Sequence, residues 1–413
     1  MNVKSWRTAG LTLAVGAALV LSGCAQGDST PSASSGASGE ATGEPIKVAI
    51  IPPSTGSLAE LGEDAANGWQ YAVDEVNAAG GVDGHPVELI VKETDGTVPT
   101  TIRAMTEAVS QDGAQYISGV MTSPEHVAVF QQATSLGVLA INHIGRADNL
   151  VGEACSPNGF TTTQSNGVII EAISQVLPDI PGQKWALLNA DYSTGHDAQE
   201  EITRAIDATG GEVVSDQFVP LGTTDFGSQI TQIMESGADA LALTVYGADL
   251  VAFVNQAEQY GLSDSVESTI AIASLTENLF PAIGDKVGGW YGNVGYDVTW
   301  DSELNQAFVE GYTEEYGEAP YYFPADAYNA ALALFAAIED AGSIAPDDVK
   351  ASLETITYEG LNGEVTMRAD DHRLLTPVFV SEVAEGADGP AWQTLTELSA
   401  EDLDIPVDPA CSM

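Results

Sequence analysis

The residues best placed for chemistry sit at one strand-to-helix corner, Thr122-Ser123-Pro124-Glu125. The apolar run Gln115–Met121 ahead of it predicts a strand. Val127, Phe130 and Ala133 behind it recur at helical spacing until Gly137, and a second apolar run, Val138–Asn142, follows. Ser123 is expected to cap the helix, with Pro124 at its first position and Glu125 against the positive end of its dipole. Such a corner leaves backbone N–H groups free at the carboxyl end of a strand, and those groups hold anions, a carboxylate above all. The same residues also read as an ordinary capped helix in a βαβ unit. Catalysis has no such signal. The five histidines are scattered, at positions 85, 126, 143, 196 and 372. No His-Glu-x-x-His, Gly-x-Ser-x-Gly, P-loop or Gly-x-Gly-x-x-Gly motif follows a strand. No Cys-x-x-Cys or other metal spacing occurs, so neither metal, cofactor nor catalytic residue is expected.

The elements that position this corner alternate. Strands are expected at 46–51, 87–93 and 115–121, with helices at 60–79 and 99–111 between them. After residue 164 the alternation starts again, with strands at 185–189, 212–218, 240–245 and 269–273 and helices between. Strict βα alternation predicts an α/β fold of doubly wound parallel sheets with helices on both faces. The 413 residues suffice for two domains of ordinary size.

Sixty acidic residues against twelve basic ones give a formal charge of −48. That surface makes nucleic acid a poor partner. It suits a salty medium in which self-repulsion is screened, or reflects drift in an acidic proteome.

The first residues read as an address. Lys4 and Arg7 precede an apolar run, Ala9–Leu21, too short for a comfortable membrane span. Leu21-Ser22-Gly23-Cys24 follows and resembles a bacterial lipobox, with residues 1–23 removed and Cys24 lipidated. Each buried lipid CH₂ contributes roughly 0.8 kcal/mol, so several acyl chains hold a protein on a membrane. Residues 24–45 are Ser, Gly, Ala, Thr and Pro with almost no bulky side chain, a tether on the order of 25 Å long. The expected location is extracytoplasmic, lipid-anchored on the outer face of the cell membrane.

The run Lys47–Gly56, the turn Asn77-x-x-Gly80-Gly81-Val82-x-Gly84, and Val91–Asp95 together resemble the opening of type I periplasmic binding proteins. The chain is similar to the leucine/isoleucine/valine-binding group of ABC importers from Ile46 to about Val383. The resemblance implies two α/β lobes, a three-segment hinge and a small ligand enclosed between them. The partners implied are ABC permease and ATPase subunits. The implied lobes are 46–161 with 299–360, and 162–298 with 361–384, leaving 385–413 as a tail. The first crossing matches Gly159–Thr163, the second Trp290–Val298, and the third Leu361-Asn362-Gly363 with the strand from Thr376.

The resemblance also implies site residues. Ser123, beside Thr122, matches the hydroxyl that holds an amino acid's carboxylate. His143 and Arg146 stand where the family's amino-acid binders have small residues and a Thr. Arg146 reads either as a bidentate carboxylate partner or as a surface residue. Thr194 replaces the family Tyr before Gly195, and Tyr192, two residues earlier, either stacks on a ligand or lines the rim. Tyr246 matches a cleft aromatic. Ser274 and Leu275 fall where the family carries a carboxylate for the ligand ammonium; the nearest acid here is Glu277. Leu61 replaces a family Tyr. These departures leave the ligand as a branched-chain or other amino acid, or alternatively an amide, urea, or aromatic or aliphatic carboxylate. A sensor without a permease has the same lobes. Two cysteines remain after processing, and an exported protein with an even pair is expected to bridge them, here Cys155 to Cys411.

Overall fold

The computed structural model describes residues 41–386 and 389–413. The expected leader, Cys24 and most of the tether lie outside the described residues. The chain builds two sheets. Strands β1 (Ile46–Ile50), β2 (Val87–Val91), β3 (Tyr116–Ser118), β4 (Leu139–Asn142) and β5 (Gly159–Thr161) are parallel and form the first. Between them run α1 (Ala59–Ala78), α2 (Val98–Glu107) and α3 (Ser123–Leu136). The second sheet holds β6 (Lys184–Ala190), β7 (Glu212–Val219), β8 (Ala240–Thr244), β9 (Ser268–Ala271) and β10 (Tyr291–Val294). Its helices are α4 (Asn166–Val176), α5 (Ser193–Thr209), α6 (Gly227–Ser236), α7 (Gly247–Tyr260) and the short α8 (Phe280–Ile283). The chain then returns to the first lobe through α9 (Glu303–Tyr316), α10 (Tyr322–Ala341) and α11 (Pro346–Leu353).

The central strands are apolar on both faces because helices cover both; β8, Ala240–Thr244, is buried throughout. Helix α10 carries the expected stripe Tyr328, Ala331, Phe335 and Ile338, all buried. It packs along α1 so closely that a Cβ on Gly68 would stand within van der Waals radius of the Pro324 carbonyl, which glycine alone allows. Asn77 of the Asn-x-x-Gly-Gly turn ties α1 to the next strand. Its amide donates to the Val87 carbonyl and its Oδ1 accepts from the Val87 N–H, at 2.9 and 2.8 Å.

The last third of the chain departs from the expected boundaries. Strands β11 (Thr357–Gly360), β12 (Gly363–Arg368) and β13 (Arg373–Leu375) extend the first sheet, in the order β11-β12-β13-β5-β4-β3-β1-β2. Leu361-Asn362 is therefore the turn of an antiparallel hairpin, and the third crossing comes later, at Thr376-Pro377. The reason is pairing: β12 finds its partners in β11 and β13 before the chain leaves. Asn362 still serves the hinge, because its side chain accepts from the Asp297 N–H and donates to the Asp297 carbonyl on the second crossing. Strand β14 (Val378–Gly386) joins the second sheet, and ten residues of the expected tail form a further strand, β15 (Gly389–Leu398), in the order β15-β14-β10-β9-β8-β6-β7. A short helix, α12 (Ala400–Leu403), follows. Cys155 and Cys411 are joined by a disulfide with Cα atoms 5.5 Å apart, pinning the C-terminus to the first lobe. Among the described residues no helix is long and apolar enough to cross a membrane, and no three metal-ligating side chains gather.

Candidate functional site

The carboxyl ends of both sheets face one another, and the loops leaving them meet. Thr122, not Ser123, caps α3: its N–H and hydroxyl both donate to the Glu125 carboxylate, at 3.1 and 2.6 Å. The cap lies one residue earlier than expected because Glu125 at the third helical position completes a box with Thr122. Ser123 is thereby released from capping. Its Oγ accepts from the Ala147 N–H at 3.1 Å and stands 2.8 Å from Thr194 Oγ1, at the start of α5 in the opposite lobe.

Around this pair a cleft of about 30 Å³ remains, lined by Ser123, Arg146, Tyr192, Thr194, Tyr246 and Tyr322 together with apolar residues that include Leu61 and Phe323. The lobes are in contact across it. The Tyr322 hydroxyl donates to the Ala273 carbonyl at 3.1 Å, and Asn278 donates to Glu60 Oε1 at 3.3 Å. Arg146 is 4% exposed, so it is not a surface residue. Its guanidinium donates to the Gln164 carbonyl at 3.1 Å, approaches Asp326 Oδ2 at 3.5 Å and lies 5.0 Å from the centre of the Tyr322 ring. Burial pushes the Asp326 carboxyl up to about 7, against the pull of Arg146 and of the Thr163 hydroxyl bonded to it. The Tyr192 and Tyr246 rings meet edge to face, 6.3 Å between centroids. Burial pushes the Tyr192 phenol up to about 12 and the Tyr246 phenol well above its ordinary value. The Tyr246 hydroxyl makes no hydrogen bond of good geometry among the described residues; the Tyr192 hydroxyl lies nearby.

Five of the sequence-derived residues thus come together: Ser123, Arg146, Tyr192, Thr194 and Tyr246. Others sit behind them. His143 is fully buried, and Ser118 gives its own hydroxyl proton to the Ile141 carbonyl, so His143 Nδ1–H donates to Ser118 Oγ at 3.0 Å. Burial, with His126 nearby, pushes the His143 imidazole down to about 3, and it stays neutral. Thr122 caps the helix beneath the cleft. Ser274 is buried with its hydroxyl turned to the Leu243 carbonyl, and Leu275 belongs to the apolar core of the second lobe. Their neighbour Ala273 lines the cleft instead, in the left-handed region at φ 49°. Sequence reading passed over Tyr322 and Phe323 as cleft residues and Asp326 as the partner of Arg146. They enter from α10, some 180 positions beyond Arg146, and the one available signal was the unusual Tyr321-Tyr322-Phe323-Pro324 run at the start of that helix.

Residues 45–389 match the family model described as periplasmic binding protein. The chain belongs to that family, in its two-lobed type I class: a solute-binding protein, not an enzyme. A relative from Brucella melitensis named Leu/Ile/Val-binding protein homolog 6 is 27% identical over 83% of this chain and 89% of its own length. A solute-binding protein of an ABC transporter from Rhodopseudomonas palustris, solved with 3,4-dihydroxybenzoic acid, superposes with a TM-score of 0.81 at 23% identity, covering 86% of this chain and 98% of that one. The closed form of a leucine-, isoleucine-, valine-, threonine- and alanine-binding protein from Brucella ovis gives 0.78 at 22% identity, covering 90% and 99%.

Proposed function

We propose that this chain is the extracytoplasmic solute-binding component of an ABC importer and that its lobes close on a small aromatic carboxylate. One observation carries the ligand class. The cleft lining contains a cation, Arg146, and four aromatic rings, Tyr192, Tyr246, Tyr322 and Phe323, but no carboxylate. A zwitterionic amino acid brings an ammonium that needs a counter-charge; an aromatic acid does not. The benzoate-type ligand in the Rhodopseudomonas structure supports the same reading.

In this reading the carboxylate lies between Ser123 and Thr194 and faces Arg146, while the ring packs among the tyrosines. The space of about 30 Å³ is smaller than a ring with its carboxylate, so the lobes part to admit it. Contacts to both lobes form only on reclosure, which makes the closed form the ligand's own product and the form a permease reads. Export and lipidation at Cys24 belong to the same proposal; fatty-acid labelling abolished by Cys24→Ser tests them.

A branched-chain amino acid is the second reading, favoured by the name of the Brucella relative, with the Ala273 carbonyl as ammonium acceptor. Titration of the processed chain decides. At a hundredfold its dissociation constant a ligand adds about 2.7 kcal/mol of stability, a clear thermal shift. Shifts with benzoate or hydroxybenzoates and none with leucine, isoleucine or valine are expected; the reverse pattern overturns the aromatic assignment.

A further inference from the structure

A second cavity, of about 540 Å³, lies apart from the cleft and shares no lining residue with it. Three parts of the chain wall it: the segment 277–281 after β9, the second crossing at Tyr296–Thr299, and β15 with Trp392. One end is apolar. Phe280 and Trp392 face each other with ring centroids 6.1 Å apart, and Pro281 and Pro390 complete the wall. The other end is acidic. Glu277 Oε2 is buried with no hydrogen-bond partner among the described residues. Asp297 is held in place by the Thr299 N–H and hydroxyl, which donate to its Oδ1 at 2.8 and 2.6 Å. The Tyr296 hydroxyl is turned away to Asn305 Oδ1 at 2.6 Å, so it gives nothing to Glu277. Among the described residues no Lys or Arg is part of the lining. Burial, reinforced by Asp297, pushes Glu277 up to about 7, as expected for a carboxylate with no cation at hand.

We propose that this cavity is a second small-molecule site, for an organic ammonium carrying an aromatic or branched apolar body. The ammonium pairs with Glu277 and Asp297, and the body packs against the wall that Phe280 and Trp392 form, where an indole face also attracts a cation. The assignment is independent of which ligand the cleft takes. Its position gives it a consequence. Tyr296–Thr299 is one of the three hinge segments, and Asn278, next to Glu277, bonds across the lobes to Glu60. An occupant therefore touches the parts that move during closure.

The test uses 2-phenylethylammonium on the processed full chain, with 2-phenylethanol as the isostere without the positive charge, followed by calorimetry and tryptophan fluorescence. The amine is expected to bind with a dissociation constant at least tenfold below that of the alcohol. Glu277→Gln, which keeps the side-chain shape, and Trp392→Phe, which keeps a ring, are each expected to weaken it about tenfold. Ser123→Ala is expected to leave amine binding unchanged. Equal binding of amine and alcohol, no amine binding at millimolar concentration, or loss of amine binding in Ser123→Ala each overturns the proposal, the last by placing the amine in the cleft. Failure here leaves the cleft assignment standing, because that assignment is read with benzoates.

Discussion

Ser123 Oγ and Thr194 Oγ1 stand 2.8 Å apart although they come from different lobes and are 71 positions apart in the chain. The pair is what the free capping corner becomes once Thr122 has taken over the cap. Two hydroxyls facing one another can both donate to a carboxylate oxygen placed between them, and neither lobe alone supplies both. Ser123→Ala is expected to raise the dissociation constant of a carboxylate ligand about five- to thirtyfold, the equivalent of ~1–2 kcal/mol for a lost hydrogen bond to a charged group. Thr194→Val should act alike. Calorimetry that finds both affinities unchanged removes the carboxylate from this corner.

Tyr246 separates packing from hydrogen bonding. Its hydroxyl makes no hydrogen bond of good geometry among the described residues, so Tyr246→Phe, which keeps the ring, is expected to bind as the parent does. Tyr246→Ala removes a ring from the cleft wall and is expected to cost at least as much as Ser123→Ala. Equal affinities for the two variants would show that the ring does not touch the ligand.

Asp326 makes binding depend on pH. Its carboxyl is pushed up to about 7, so at pH 6 it is mostly neutral and Arg146 keeps its charge for the ligand; at pH 8 it is ionised and competes. A carboxylate ligand is therefore expected to bind about fivefold more tightly at pH 6 than at pH 8, and Asp326→Asn to flatten the profile. Stability follows the same sign. A carboxyl raised in the folded state stabilises fully below its unfolded value near 4, and that contribution is lost as pH rises through about 7. Thermal melts of the parent and the Asn variant from pH 4 to 8 measure the difference.

Gly247 reports on closure. It opens α7 at φ 54°, and a Cβ there would lie 2.8 Å from the Ser57 carbonyl of the other lobe. Gly247→Ala touches no polar contact of the proposed ligand yet obstructs the closed form. The expected result is a roughly tenfold weaker affinity, from a closure penalty of about 1.4 kcal/mol, and a smaller ligand-induced compaction in small-angle scattering. Full compaction at unchanged affinity would mean that the lobes close by another path.

The Cys155–Cys411 bridge spans 256 positions. Replacing both cysteines by serine is expected to lower stability by about 2–4 kcal/mol and to expose the C-terminal residues to proteolysis. An unchanged denaturation midpoint would mean that the tail is held by its other contacts.

The two-sheet architecture was legible because βα alternation and apolar strands are local signals, each written within about twenty residues. The strand-to-helix corner at 122–125 was legible for the same reason, although Thr122 and Ser123 exchange roles. The third crossing was misplaced at Leu361-Asn362-Gly363, where the structure has a hairpin, because a strand's choice of sheet is decided by its partners and not by its own residues. His143 shows the same limit: its place after β4 is a matter of sequence, but its burial against Ser118 is not.

By itself, then, the sequence determined what local physics decides: the order of strands and helices, the corner with its hydroxyls, the cysteine pair, and a family whose members close on a ligand. Only the tertiary structure decided what lines the cleft. Tyr322 and Asp326 reach Arg146 because α10 packs on α1, and Thr194 meets Ser123 because three crossings bring two lobes face to face. Such encounters depend on distances between residues far apart in the chain, which no window of sequence contains.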